Sequence, residues 1–409
     1  MKHASRNPAT SGIRAVSLLL ASCGLAAAVG CGANPPAAFR ANLVESMIES
    51  TKQPLTSDQE RQVATILEAM FGTPDAPVAL PESGLDGAKL RLAAGPVRSD
   101  IVGRKNGLYR EHCAHCHGIT GDGMGATAAF LNPYPRDYRP GQFKFKSTER
   151  GARPTHDDLV RILRNGIPGS SMPSFTLLSD VQLDALAEYV KYLSIRGETE
   201  IALTRAFLEL DDDAQGKLPE TREFLVDETL AAIAGKWRAA AGETIPVPAA
   251  PDVSEPEALA ASIAKGKELF FGDRANCVKC HGITALGDGV VNDYDDWTKM
   301  GVIKLQEGLR SVSDAALLAR GRQVIAGDAL EPRPIMPRNL RQGIYRGGRR
   351  PLDLYYRIHA GINHAPMPAA KGTVAPEDIW HIVNYIKSLP YETETAPPGD
   401  RPLAARDRF

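Results

Sequence analysis

The stretch Cys113-Ala114-His115-Cys116-His117-Gly118 recurs as Cys277-Val278-Lys279-Cys280-His281-Gly282, and reading the two together decides the fold. Their surroundings repeat in the same order. Pro135-Arg136-Asp137-Tyr138 returns as Pro337-Arg338-Asn339-Leu340, and the loop from Gly166 to Pro173 returns as Gly361 to Pro368. Apolar stripes at helical spacing predict an opening helix over Ser99 to His112 in one unit and Glu257 to Phe271 in the other. They predict a short helix over Asp157 to Asn165 and again over Asp353 to Ala360. A last helix is expected over Asp180 to Ser194 and over Pro376 to Leu389. The short and last helices of the first unit carry capping residues, Thr155 with Asp158 and Ser179 with Gln182. This is one domain duplicated, residues 97–196 and 255–391, since a solenoid needs more than two repeats. The copies differ in one place. Nineteen residues separate His117 from Arg136 and 57 separate His281 from Arg338, so the second copy holds 38 more, roughly Gly287 to Arg333, with Asp314 to Gly327 expected helical.

A Cys-x-x-Cys-His run is the attachment pattern of a c-type haem. The two thiols add to vinyl groups along one edge of the macrocycle, and the adjacent imidazole sits beneath the iron. The Gly that follows both times lets the chain turn tightly around the ring. A single run would also fit half a zinc site or a thioredoxin-like redox pair. The first needs a second Cys or His pair nearby, the second a strand-turn-helix setting, and neither surrounds these runs. Two covalent haem c groups are therefore expected, one on Cys113 and Cys116, the other on Cys277 and Cys280, with His117 and His281 on the irons.

Electron transfer asks for a sixth iron ligand, and Met/His ligation raises the reduction potential. Met172 lies 55 residues after His117 and Met367 lies 86 after His281, in matched Gly/Pro loops. Each precedes a Pro, which stiffens the loop. Service as an adaptable core filler suits Met47 and Met70 better. Met336 competes with Met367: it also precedes Pro and follows His281 by 55 residues. Aligning Pro337-Arg338 on Pro135-Arg136 sets it opposite Tyr134, a coincidence created by the insertion. His364 is a weaker rival, expected to be exposed near the haem edge. His112 and His115 are expected in solvent, and His156, His359 and His381 on helix surfaces or in packing.

The chain of 409 residues has 48 Lys+Arg against 49 Asp+Glu, a balance that argues against nucleic acid as the main partner. Lys2, Arg6 and Arg14 precede an apolar run, Ala15 to Gly30, that is shorter than a spanning helix of ~20 residues and reads as an export signal. Ala28-Val29-Gly30-Cys31 resembles a bacterial lipobox, which implies lipidation at Cys31. Leu20-Ala21-Ser22-Cys23 offers Cys23 as the alternative, and an ordinary cleaved signal needs neither. Residues 1–31 are thus a signal segment, and 32–96 a tether and N-terminal helical region. That region holds a helix over Ser57 to Phe71, opened by Ser57 and Glu60, and a linker over 73–96. Residues 197–254 are expected to be a helical linker, with Leu225, Thr229, Ala232, Ile233 and Trp237 facing a core and a Pro-rich spacer from Thr244. Residues 392–409 form a tail.

Both units resemble class I cytochrome c domains, and the whole is similar to a bacterial dihaem cytochrome c. The resemblance covers residues 97–196 and 255–391. It implies an all-α fold of two tandem domains joined by the helical, Pro-rich linker. In each, the first and last helices cross and enclose the haem with the loops. Tyr189 and Tyr385 occupy the place of an aromatic that packs the last helix on the first. The implied role is a carrier of single electrons on the periplasmic side of a membrane, held there by a lipid anchor, rather than an enzyme. Its donor would be a quinol-oxidising complex or a dehydrogenase, and its acceptor a haem-copper oxidase or a soluble cytochrome. A dihaem peroxidase-like enzyme, which needs one open iron site, and a redox subunit of a dehydrogenase complex are the alternatives.

Overall fold

Three groups of apolar side chains organise the chain in the computed structural model, which describes residues 37–100, 103–210, 216–289, 293–295, 298–393 and 396. The signal segment, with Cys23 and Cys31, and most of the 392–409 tail lie outside the described residues. From Phe39 onward the chain forms one unit. Among the described residues no helix is long and apolar enough to cross a membrane.

Helix α1 spans Leu43–Ser50 and α2 spans Ser57–Phe71. The cap of α2 is Thr56 with Gln59, one residue before the expected Ser57 with Glu60. Its stripe Val63, Ile66, Leu67 and Met70 is buried as expected. The expected linker 73–96 contains a third helix, α3 (Gly87–Ala93), capped by Asp86. The chain then forms a hairpin of β1 (Val97–Asp100) and β2 (Gly103–Asn106), paired antiparallel with Val97 opposite Asn106. This corrects the helix expected from Ser99 to His112, of which only α4 (Leu108–His112) forms. Gly107 is the reason: a side-chain carbon there would stand 1.9 Å from the Gly95 carbonyl oxygen, so the hairpin closes on a backbone contact only glycine permits.

The single turn α5 (Ala114–His117) carries the first cysteine-histidine run. Helix α6 (His156–Asn165) and helix α7 (Asp180–Ala206) begin at the capping boxes read from Thr155 and Ser179. α7 runs to 27 residues, well past the expected end at Ser194. Gly197 does not stop it, because the backbone at Arg139 packs against that position (a Cβ would lie 2.4 Å from the Arg139 Cα). Arg153 pairs with Glu198, whose carboxylate also accepts the Trp237 indole N–H at 3.0 Å.

The region expected as a linker folds back on this domain. A widened, π-type helix, Glu223–Leu230, leads into α8 (Ala231–Ala239). Its buried face is Val226, Leu230, Ile233, Ala234 and Trp237. Ile233 and Trp237 are buried there as expected and Leu225 packs half-buried on the same core, whereas Ala232 is exposed and Val226, Leu230 and Ala234 are buried beside them. Leu67, Leu90, Leu186, Tyr189 and Trp237 all belong to one core. The N-terminal helices therefore do the packing that a truncated opening helix cannot. Tyr192 donates to the Phe71 carbonyl at 2.6 Å, and the Tyr189 ring lies 4.9 Å from that of Tyr109.

The second copy keeps its opening helix, α9 (Pro256–Phe271), which leads to the single turn α10 (Val278–His281). The insertion contributes α11 (Lys304–Leu309) and α12 (Ala315–Asp328), and then come α13 (Pro351–Ala360) and α14 (Pro376–Ser388). α9 crosses α14 closely at Gly266, where Ser262 bonds His381 at 2.8 Å. The Phe270 ring meets Tyr385 edge-on at 5.3 Å. The insertion packs α11 and α12 on α1, so Met47 and Ile48 share a small core with Leu305, Leu309 and Val324.

The two domains meet along named contacts. Lys144 pairs with Asp295 at 2.6 Å, and Asn363 bonds both the Phe143 carbonyl (3.2 Å) and the Gly151 N–H (3.3 Å). Arg346 donates to the Gly169 carbonyl at 3.2 Å. Arg320 reaches Glu60 from the insertion, and Arg333 caps the carbonyls of Leu131 and Ala129.

Gly266→Val is expected to force α9 from α14, since a Cβ there would sit 1.9 Å from the His381 carbonyl oxygen. Overpacking of this kind costs about 3 kcal/mol. Chemical denaturation should register the loss, and an unchanged midpoint would refute the close crossing.

Candidate functional site

In the first domain, the short turns α4 and α5 leave no length for helical drift, so the motif is held by specific bonds. Tyr109 donates its hydroxyl to the Gly118 carbonyl at 2.8 Å. Gly118 has a positive φ of 74°, and a Cβ there would run into the Asp122 carboxylate. His117 is buried, and its Nδ1 lies 3.0 Å from the Arg136 carbonyl oxygen. A carbonyl only accepts, so Nδ1 carries the proton and Nε2 keeps its lone pair. Burial presses the imidazole toward the neutral form, lowering its pKa to about 4 against the opposing pull of the Arg136 bond. The Tyr138 ring stacks on it at 4.7 Å and 18°. The loop that delivers Arg136 is tied down by Gly123 N–H to the His117 carbonyl (2.9 Å) and Tyr138 N–H to the Gly121 carbonyl (2.7 Å).

The second domain repeats the histidine bond and the two loop bonds. His281 Nδ1 lies 3.1 Å from the Arg338 carbonyl oxygen, and its imidazole too is lowered by burial. Gly287 N–H reaches the His281 carbonyl at 2.9 Å, and Leu340 N–H reaches that of Ala285 at 2.9 Å. Gly287 thus belongs to the shared loop, and the extra residues leave it further on. The stacked ring is absent, because Leu340 stands where Tyr138 does. Phe270 comes instead, 6.2 Å from His281.

Cys113 is buried, the other three motif cysteines are half-buried, and none of the four is in a disulfide. Burial pushes the Cys113 thiol up to about 12 and Cys277 to about 11. Each site therefore offers two thiols one helical turn apart and a neutral imidazole with a free lone pair. That donor set fits a haem c attached through its edge. Among the described residues no group of three or more His, Cys, Asp or Glu could hold a bare metal ion.

The methionine loops also match in detail. Ile167 N–H bonds the Met172 carbonyl at 3.1 Å, and Ile362 N–H bonds that of Met367 at 3.2 Å. Gly166 and Gly361 hold φ of 64° and 68°, and a Cβ on either would stand 2.7 Å from the following methionine's carbonyl oxygen. Met172 and Met367 each pack, half-buried, on their domain's core. Met336 is 60% exposed. His364 is half-buried in a left-handed turn, φ 54°. His115 is exposed, whereas His112 is half-buried with its ring 6.0 Å from Phe175. His156 bonds Asp184, and His359 is buried beside Tyr355. The sequence reading missed the part played by the Arg136 and Arg338 carbonyls. The repeated Pro-Arg pair was the signal, but a backbone acceptor leaves no mark in side-chain chemistry.

Two family models match the chain in tandem. One described as cytochrome C oxidase, cbb3-type, subunit III covers residues 103–190, and one described as cytochrome c covers residues 263–390. Among solved structures the chain is similar to one from the Kuenenia stuttgartiensis reducing HAO-like protein complex, at 22% identity and a TM-score of 0.45, over 72% of this chain and 99% of that one. No curated protein matches.

Before haem attachment, burial should keep the Cys113 thiol protonated at pH 8. Alkylation of Cys113 is expected to be slower than in the denatured chain by on the order of a hundredfold. Mass spectrometry of labelled peptides reads this directly, and equal rates would contradict the burial described.

Proposed function

The chain is a dihaem cytochrome c, two tandem cytochrome c domains with a covalently bound haem c in each, and we propose that it relays single electrons outside the cytoplasm. Haem iron supplies a one-electron change of oxidation state. The residues of this chain provide the rest. In this reading Cys113 with Cys116 and Cys277 with Cys280 form the thioether links. His117 and His281 would coordinate the irons, oriented by the Arg136 and Arg338 carbonyls. Met172 and Met367 would supply the second iron ligand of each haem, and the apolar core against which each packs would keep water away.

The observation that carries this reading is the repeated Ile N–H to Met carbonyl bond, which gives both loops the same shape despite the insertion. A carrier needs both axial positions filled, because an iron that changes neither ligand nor geometry exchanges electrons with little reorganisation. Export, lipidation at Cys31 or Cys23, and the donor and acceptor rest on the sequence alone. The donor we propose is a quinol-oxidising complex or dehydrogenase, and the acceptor a haem-copper oxidase or soluble cytochrome. The domain limits 97–196 and 255–391 are proposed as the haem-holding units, with 57–93 and 223–239 packed onto the first.

A pyridine haemochrome assay should count two haems per chain. Met172→Ala and Met367→Ala should each remove the weak red-end band of one oxidised centre and leave the other, while Met336→Ala leaves both. Loss of a band in the Met336 variant, or rapid peroxide turnover by the unaltered protein, would refute the assignment.

A further inference from the structure

The loop that carries Met367 is held by more than its own domain. Asn363, four residues before the methionine and 6% exposed, commits both polar atoms of its side chain to the first domain. Its Nδ2 donates to the Phe143 carbonyl at 3.2 Å, and its Oδ1 accepts the Gly151 N–H at 3.3 Å. Four residues after the methionine, Lys371 pairs with Glu149 at 2.6 Å, and buried His359 lies 3.6 Å from the same carboxylate. Phe143, Glu149 and Gly151 belong to one stretch of the first domain, which therefore holds the methionine loop on both sides in sequence.

That stretch is itself well tied. Ser147 donates its N–H and its hydroxyl to Asp158 at 2.9 Å each, and Thr148, fully buried, donates to the Arg153 carbonyl at 2.9 Å. Lys146 reaches the Thr148 carbonyl and hydroxyl at 3.1 and 3.0 Å. The Phe145 ring presses on Gly347 of the second domain, where a Cβ would come within 2.4 Å of it. The space left beside Asn363 is a cavity of about 10 Å³, room for one water at most. The reciprocal contact is weaker. In the loop that carries Met172, Pro168 stands where Asn363 does in the other and has no polar side-chain atom. Exposed Gly169 accepts a bond from Arg346 at 3.2 Å.

We propose that the first domain positions the methionine ligand of the second haem: the stretch 143–151 holds the Met367 loop shut through Asn363 and Lys371, so the second iron opens when this seam parts. The proposal rests on the reading above that Met367 is that ligand. Asn363, Lys371 and Glu149 are positioning residues. A ligand from solution reaches the iron only through the open fraction of the loop, so its apparent affinity reports how firmly the seam is closed.

The test uses the full dihaem protein in two backgrounds, each with one methionine-ligated centre. Met172→Ala leaves the second centre and Met367→Ala the first. Imidazole is titrated while the red-end band of the remaining centre is followed. In the Met172→Ala protein, adding Asn363→Ala or Glu149→Lys should lower the imidazole concentration that half-bleaches the band by about tenfold, as expected for loss of buried hydrogen bonds or of a close ion pair. In the Met367→Ala protein the same two changes should leave the first centre's titration in place, which a general loosening of the fold would not do. Glu149→Gln replaces Glu149→Lys if that variant fails to load two haems. A Met172→Ala band whose titration either change leaves unmoved, or equal shifts at both centres, overturns the proposal alone. Absence of that band overturns the Met367 assignment and the proposal together.

Discussion

The hydrogen bond from each motif histidine to a backbone carbonyl, His117 to Arg136 and His281 to Arg338, is the constraint the rest of the molecule serves. An imidazole has two nitrogens, and only a fixed acceptor on one commits the other to a ligand role. A carbonyl is a dependable acceptor because no side-chain substitution removes it. It must, however, be delivered by a loop of set shape. Gly123 and Gly287 let that loop approach: a Cβ on either would press into the Pro135 or Pro337 carbonyl. An insertion is tolerated in the second copy because it leaves and rejoins the chain without disturbing these contacts.

The histidine bond to a backbone carbonyl could not be read from the sequence, whereas much of the helical frame could. Helices with side-chain caps and clear stripes, such as those starting at Thr155 and Ser179, were legible because cap and stripe are both written in residue types. The pairing of Met172 with Met367 was legible from order along the chain, and the loops around them form the same bonds. The opening of the first domain was not legible. Residues 99–107 carry no strong stripe, and their path is settled by a backbone approach between Gly107 and Gly95. The extension of α7 beyond Ser194 was hidden for a related reason. Its later turns are buried on several sides through ion pairs, so polar residues occupy positions a stripe would leave apolar.

The two copies solve the same problem with different material. In the second, α9 lies across α14 as one long helix. In the first, the hairpin cuts that helix to a single short turn. Residues outside the duplicated unit make up the loss: α2, α3 and α8 all contribute to the core around Tyr189. The segments before and after the first haem domain are therefore structural parts of it. Contacts such as Lys144 with Asp295 and Arg346 with Gly169 then bring the methionine loop of one domain against the other.

The small core of Met47 and Ile48 with Leu305, Leu309 and Val324 bears on how the molecule is put together in time. The first two residues leave the ribosome early, and their companions follow more than 250 positions later. Domains tend to fold in order of emergence, yet α1 has no finished seat until the insertion of the second domain arrives. Closure of this seam is thus a late step that joins the beginning of the chain to its final third. It makes the insertion of the second domain a condition for burying the Met47 and Ile48 face of the first helix.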